Sequence, residues 1–68
     1  MNTLPLQTRI TERLKKDLSA TKNYLKACRK QIQEAATHND DENLYLWASQ
    51  YDTALQQKQA IEIQLNSY

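Results

Sequence analysis

From Leu14 onward the apolar positions return in alternating steps of four and three: Leu14, Leu18, Thr21, Leu25, Cys28, Ile32 and Ala35, with the threonine filling one apolar place. That alternation is the heptad rhythm of a narrow helical seam, because a repeat of 3.5 keeps one edge of an α-helix facing one neighbour. Leu6 and Ile10 come earlier in steps of four and drift off the seam. The drift allows a kink near Asp17 to Thr21, although no glycine or proline is present there to break the helix in two. Pro5, the only proline, stands where a first helical turn tolerates it. A second stripe follows at Leu44, Trp47, Ala48, Tyr51, Ala54, Leu55, Ile61 and Leu65. Lys58 interrupts it and can lay its alkyl stem on the stripe while its ammonium reaches water.

Between the stripes lies the polar run THNDDEN. Asn39 is the best residue available for a left-handed C-terminal cap where glycine is absent. Asp40 or Asp41 can accept the free amide hydrogens of the next helix, and Glu42 suits its positive end. The second helix is predicted from about Asp41 to about Asn66, with residues 66–68 fraying. Each helix would be roughly 40 Å long at ~1.5 Å per residue, and so short a connection makes them antiparallel. The predicted fold is therefore all-α: an antiparallel, coiled-coil-like two-helix hairpin forming one domain over residues 1–68. In that register Leu44 lies nearest Ile32 or Ala35, and Leu65 nearest Leu14. Trp47, Tyr51 and Leu55 pack on Leu18, Leu25, Cys28 and Ile32.

Composition supports helices and excludes several function classes. The chain has no glycine, valine or phenylalanine, which removes turn and strand vocabulary and leaves helix formers in the majority. A core in 68 residues rarely supplies more than ~3–5 kcal/mol, so a staple or a partner is expected. Cys28 is the only cysteine, so no disulfide forms within the chain; this fits a reducing compartment. No apolar run approaches the ~20 residues of a membrane span, and the opening MNTLPLQTRI is not built as a signal peptide.

The net charge of +1 hides a division. Eight basic against three acidic residues give the first half +5, while one basic against five acidic residues from Thr37 onward gives −4. Opposite halves of this kind are expected to lie against each other. Within the first helix, Lys15, Lys22, Lys26 and Arg29 line one flank with Lys30 just beyond. Lys22 with Lys26, and Lys26 with Lys30, are like-charged neighbours four apart, each costing a few tenths of a kcal/mol. Something acidic could answer them: phosphates, an acidic protein surface or the chain's own second helix. The balanced total charge and the lack of a base-reading motif weigh against nucleic acid.

Catalytic chemistry finds little support, and neither a cofactor nor a metal is expected. His38, the only histidine, belongs to a polar turn. The carboxylates of Asp40, Asp41 and Glu42 are explained by a helix start. Cys28 falls on the seam, where a small buried thiol is the usual outcome; a reactive thiol needs an exposed, electropositive setting. No glycine exists to build a phosphate loop.

The stretch LYLWASQYDTAL holds three of the five aromatic residues. Trp47 and Tyr51 lie near the centre of the second stripe and are read as core. Tyr45 lies well off it, on the side of Ile63; Leu46 leaves it in another direction; Tyr24 sits at the margin of the first seam. These four are surplus to a two-helix seam. Lone exposed apolar residues are common, but a hairpin covers each helix on one side only. Tyr45, Leu46, Ile63 and Tyr24 are therefore expected to bind a partner.

The chain resembles the YscE-type proteins of type III secretion systems, small hairpin co-chaperones of the needle subunit. The likeness rests on the opening Met1-Asn2-Thr3-Leu4, a basic first helix, a polar turn, Tyr45 just inside the second helix, and Ala54-Leu55 followed by Ile61 and Ile63. The turn departs from many members in lacking glycine or proline. The resemblance implies a cytoplasmic, non-enzymatic protein that binds a larger helical-repeat chaperone and with it keeps the needle subunit soluble before export. Two other readings stand beside it: a small nucleic-acid-associated regulator using the basic helix, and a homo-oligomeric coiled-coil module.

Overall fold

A computed structural model describes residues 6–67. Helix α1 spans Leu6–Thr37 and helix α2 spans Asp41–Asn66, with no strand among the described residues. Two cross-helix hydrogen bonds fix the antiparallel pairing: the Tyr24 hydroxyl donates to Gln50 Oε1 at 3.3 Å, and Arg29 Nη2 donates to Tyr51 Oη at 3.3 Å. The hairpin is long and thin, 58 × 20 × 12 Å. Pro5, the motif Met1 to Leu4 and Tyr68 lie outside the described residues.

Helix α1 runs unbroken through Asp17 to Thr21, so no separate short helix forms. Thr21 Oγ1 donates to the Asp17 carbonyl at 2.8 Å. A threonine bonded back one turn satisfies its hydroxyl without interrupting the ladder, at most curving it. Thr11, Thr37 and Thr53 do the same to Gln7, Gln33 and Ser49.

The turn is built by two residues. Asn39 takes the left-handed conformation with φ of 55°, the role expected of it from the sequence. Its amide donates to Ala36 O at 3.2 Å and the Asp40 amide donates to Ala35 O at 2.8 Å. This is the paired closure of a Schellman motif, which satisfies carbonyls left free at a helix end. Of the two aspartates left open by sequence, Asp40 is the N-cap of α2. It accepts from the Asn43 amide at 3.2 Å and from Asn43 Nδ2 at 2.6 Å. Asp41 and Glu42 occupy the first turn, where the positive helix end favours them.

Leu25, Cys28, Ala35 and Ala54 are the buried residues among those described, and Cys28 is wholly covered. Leu14, Leu18, Thr21 and Ile32 on α1 are half-buried, as are Leu44, Trp47, Tyr51, Leu55, Ile61 and Leu65 on α2. The expected seam is therefore in place, but its tightest point on α2 is Ala54, at 2% exposure, rather than a ring. A methyl there lets the helices approach, while the larger rings stand partly in solvent at the edge of a two-helix contact.

Leu6, which drifts off the seam in the sequence, is 70% exposed. Helix α1 is six residues longer than α2, so about 9 Å of it extends past the end of its partner. Ala48 is exposed rather than part of the seam; the straight helix turns it toward the flank. Asn66 is helical, and Ser67 ties the end with its amide to Gln64 O at 3.0 Å and its hydroxyl to Ile63 O at 3.1 Å, where fraying was expected. The oppositely charged halves do lie side by side, but no ion pair joins the two helices among the described residues. The pairs present are Arg13–Asp17 at 3.4 Å and Lys58–Glu62 at 3.2 Å, each within one helix.

Candidate interaction surface

The four residues selected from the sequence all stand exposed: Tyr45 at 78%, Ile63 at 68%, Leu46 at 50% and Tyr24 at 43%. With Leu6 they are the large apolar side chains left open among the described residues. They do not form one patch. The bond from Tyr24 to Gln50 puts these two on one side of the hairpin. Leu46 precedes Gln50 by four residues and so shares that side. Tyr45 and Ile63 are eighteen residues apart, five full helical turns, and share a direction on α2 at a separation of about 27 Å. Ser49, Asp52 and Gln56 occupy the polar ground between them. Sequence reasoning found the members of both groups; it lacked the cross-helix register that divides them.

The Tyr24 phenol titrates above the ordinary tyrosine range. Partial desolvation is the first cause. The nearby Cys28 thiol, one turn further along α1, adds to it through charge and hydrogen bonding. The ring is still 43% exposed, so it keeps an apolar face toward solvent while its hydroxyl is held by α2.

Lys15, Lys22, Lys26, Arg29 and Lys30 are all exposed. Arg29 reaches across the groove to Tyr51, its guanidinium carbon 5.8 Å from the ring centroid. The distance suits a modest cation–π attraction, worth ~0.5–1 kcal/mol at an exposed site. His38 and Asp40 join Gln31, Glu34, Ala35, Asn43 and Trp47 around a shallow cavity at the turn. Among the described residues no group of three or more His, Cys, Asp or Glu side chains is placed to hold a metal ion, and no helix is long and apolar enough to cross a membrane. Cys28 is buried and free, a setting that shields a thiol from reagents.

The arrangement defines a two-helix hairpin with apolar side chains open on two sides and a basic flank. Comparison with known proteins finds no matching family model, no matching curated protein and no matching solved structure. The YscE-type resemblance thus rests on the residues quoted for it.

Proposed function

We propose that the protein is a non-enzymatic interaction module that binds a protein partner through its exposed apolar side chains. In this reading it acts as YscE-type co-chaperones do: in the cytoplasm, it binds a larger helical-repeat chaperone and helps keep the needle subunit soluble before export. One observation carries the reading. Tyr45, Leu46, Ile63 and Tyr24 are exposed on a hairpin whose buried set among the described residues is Leu25, Cys28, Ala35 and Ala54. A fold this thin gains more from covering those four than a larger domain would, since each fully buried large apolar side chain is worth about 1.5–3 kcal/mol.

The test compares Tyr45→Ala with the double change Lys22→Gln and Lys26→Gln, each in the full tagged chain. Recovery of a helical-repeat chaperone from the native cell is measured. The tyrosine change should lower recovery while leaving helix content intact, with mild salt dependence, because the centre of such an interface is apolar. A second reading, nucleic-acid binding, is favoured by the basic flank that no carboxylate of α2 answers. It predicts affinity that falls steeply with salt and depends on the lysines. If the lysine changes abolish recovery and the tyrosine change does nothing, the apolar reading is wrong.

A further inference from the structure

We propose that the groove between the basic edge of α1 and the Ala48–Leu55 flank of α2 is a docking face for an acidic amphipathic helix of a partner protein. This rests on reading the chain as an interaction module and names the chemistry of one thing it binds. Lys15, Lys22 and Arg29 follow one another at intervals of seven. Two full turns separate each pair, so the three form a straight row with steps of about 10.5 Å. Arg29 shows where that row lies. Its bond to Tyr51 Oη at 3.3 Å places the edge along the groove between the helices, not on the outer surface.

The opposite wall follows from Tyr51. Ala48 precedes it by three residues and Leu55 follows it by four, so both are its neighbours on α2. Ala48 is exposed and Leu55 half-buried. In a coiled coil, charged flanking positions meet opposite charges on the next helix. Here the facing line of α2 runs Ala48, Leu55 and Glu62, so the basic row meets a methyl, a leucine and one glutamate already paired with Lys58, and neither of the two ion pairs among the described residues includes Lys15, Lys22 or Arg29. Lys26 is exposed beside Lys22 and strengthens the basic wall. One wall is cationic with heptad spacing, and the other is apolar at Ala48 and Leu55 and acidic at its Glu62 end. That cross-section fits a helix with an apolar stripe and carboxylates every seven residues along one edge.

The alternatives fit less well. Asp52 follows Ala48 by four residues and Glu62 follows Leu55 by seven, so both acids border the apolar wall. A phosphate backbone would meet them along with the lysines, whereas a helix presents its carboxylates to one wall only. A second copy of the chain does not match the row either. On α2 the heptad line that carries Asp41 and Glu62 holds Ala48 and Leu55 at the two places between them, so a second copy offers no carboxylates at successive steps of about 10.5 Å.

The probe is a labelled synthetic helical peptide of about three heptads, with a leucine and alanine face and glutamate at every seventh position. Its counterpart carries lysine at those positions. A short DNA duplex and sedimentation of the chain alone complete the set. The full chain should bind the glutamate peptide and not the lysine peptide. The variant Lys15→Glu with Lys22→Glu changes two side chains that have no ion-pair partner among the described residues. It should lose at least about tenfold in affinity for the glutamate peptide and gain binding to the lysine peptide. Gln57→Ala, seven residues after Gln50 on the Tyr24 side of the hairpin, should leave glutamate-peptide binding unchanged. Equal binding of the two peptides, binding of neither, binding of the duplex alone, or a dimer dissociated by the lysine changes would each overturn the proposal. If the peptide fails to bind while Tyr45→Ala still lowers chaperone recovery, only the groove is disproved. The reverse pattern disproves the apolar interface instead.

Discussion

Replacing Leu25 by alanine tests the core most directly. Leu25 is 8% exposed and is the one large aliphatic side chain among the four buried residues. Truncating a buried leucine costs about 2–5 kcal/mol, depending on how far the surroundings close the gap. The hairpin is only 12 Å across in its thinnest direction, and the half-buried Leu18, Thr21 and Ile32 flank the site on the seam. Such a thin structure relaxes readily, which favours the lower part of the range, near ~2.5 kcal/mol. Small domains hold ~0.05–0.15 kcal/mol per residue, so this chain has about 3–10 kcal/mol in all. Taking ~4 kcal/mol as its stability, the variant keeps about ten folded molecules for each unfolded one. The thermal midpoint should fall by roughly 10–20 °C. Far-ultraviolet circular dichroism in urea and heat reads both quantities. Leu46→Ala, at a half-exposed site, serves as the comparison and should stay within about 0.5 kcal/mol of the parent. An unchanged urea midpoint and slope for Leu25→Ala, or an equal loss for Leu46→Ala, would refute the assignment of the core.

Four further outcomes follow from other features. Asp40→Ala removes the acceptor for the Asn43 amide and should lower stability by about 1 kcal/mol in urea unfolding. Asn39→Ala should cost a similar ~1–2 kcal/mol and Asn39→Gly should not, because only the former puts a Cβ without a compensating side chain in the left-handed region. Cys28 should resist thiol reagents in the native state and react at a rate set by unfolding, a pattern followed with a chromogenic disulfide across urea concentrations. The Tyr24 phenol is raised in the folded state, so the stability it contributes is fully present below the ordinary tyrosine value of 10.0 and is lost as pH rises through the folded-state value. Tyr24→Phe should remove that alkaline decline in urea midpoints.

The hairpin was legible because each local signal agreed with the others. The four-three rhythm gives the seam, and THNDDEN gives the stop and start. Asn39 was identifiable as the left-handed residue because no glycine competes for the role. The choice between Asp40 and Asp41 was not legible: both can cap, and the winner depends on which carboxylate the backbone aims at Asn43. Ala54 as the tightest point of α2 was also hidden. Periodicity weights large side chains, while closeness of approach is decided by small ones. That Leu6 leaves the seam was visible in its step of four, while its overhang past α2 depends on the difference in helix lengths. For the surface, the wheel identified the surplus residues one helix at a time. Their division into a Tyr24–Leu46 side and a separated Tyr45 and Ile63 needs the register set by Tyr24 and Gln50.

The turn has a consequence for the order in which the chain folds. Asp40 closes the end of α1 through its amide and opens α2 through its carboxylate, so one residue belongs to the last turn of one helix and the first of the next. Once it is in place, each further pair of turns meets across a loop already closed, and loop-closure entropy is met once near the apex instead of at every contact. Of the buried side chains, Leu25, Cys28 and Ala35 lie in the apex half of α1 and Ala54 near the middle of α2, with none toward the open end among the described residues. Folding should therefore zip from the apex outward. Substitutions at Ala35 should slow refolding, while those at Leu14 or Leu65 should mainly speed unfolding. The opposite ratio in stopped-flow measurements would place the nucleus at the open end.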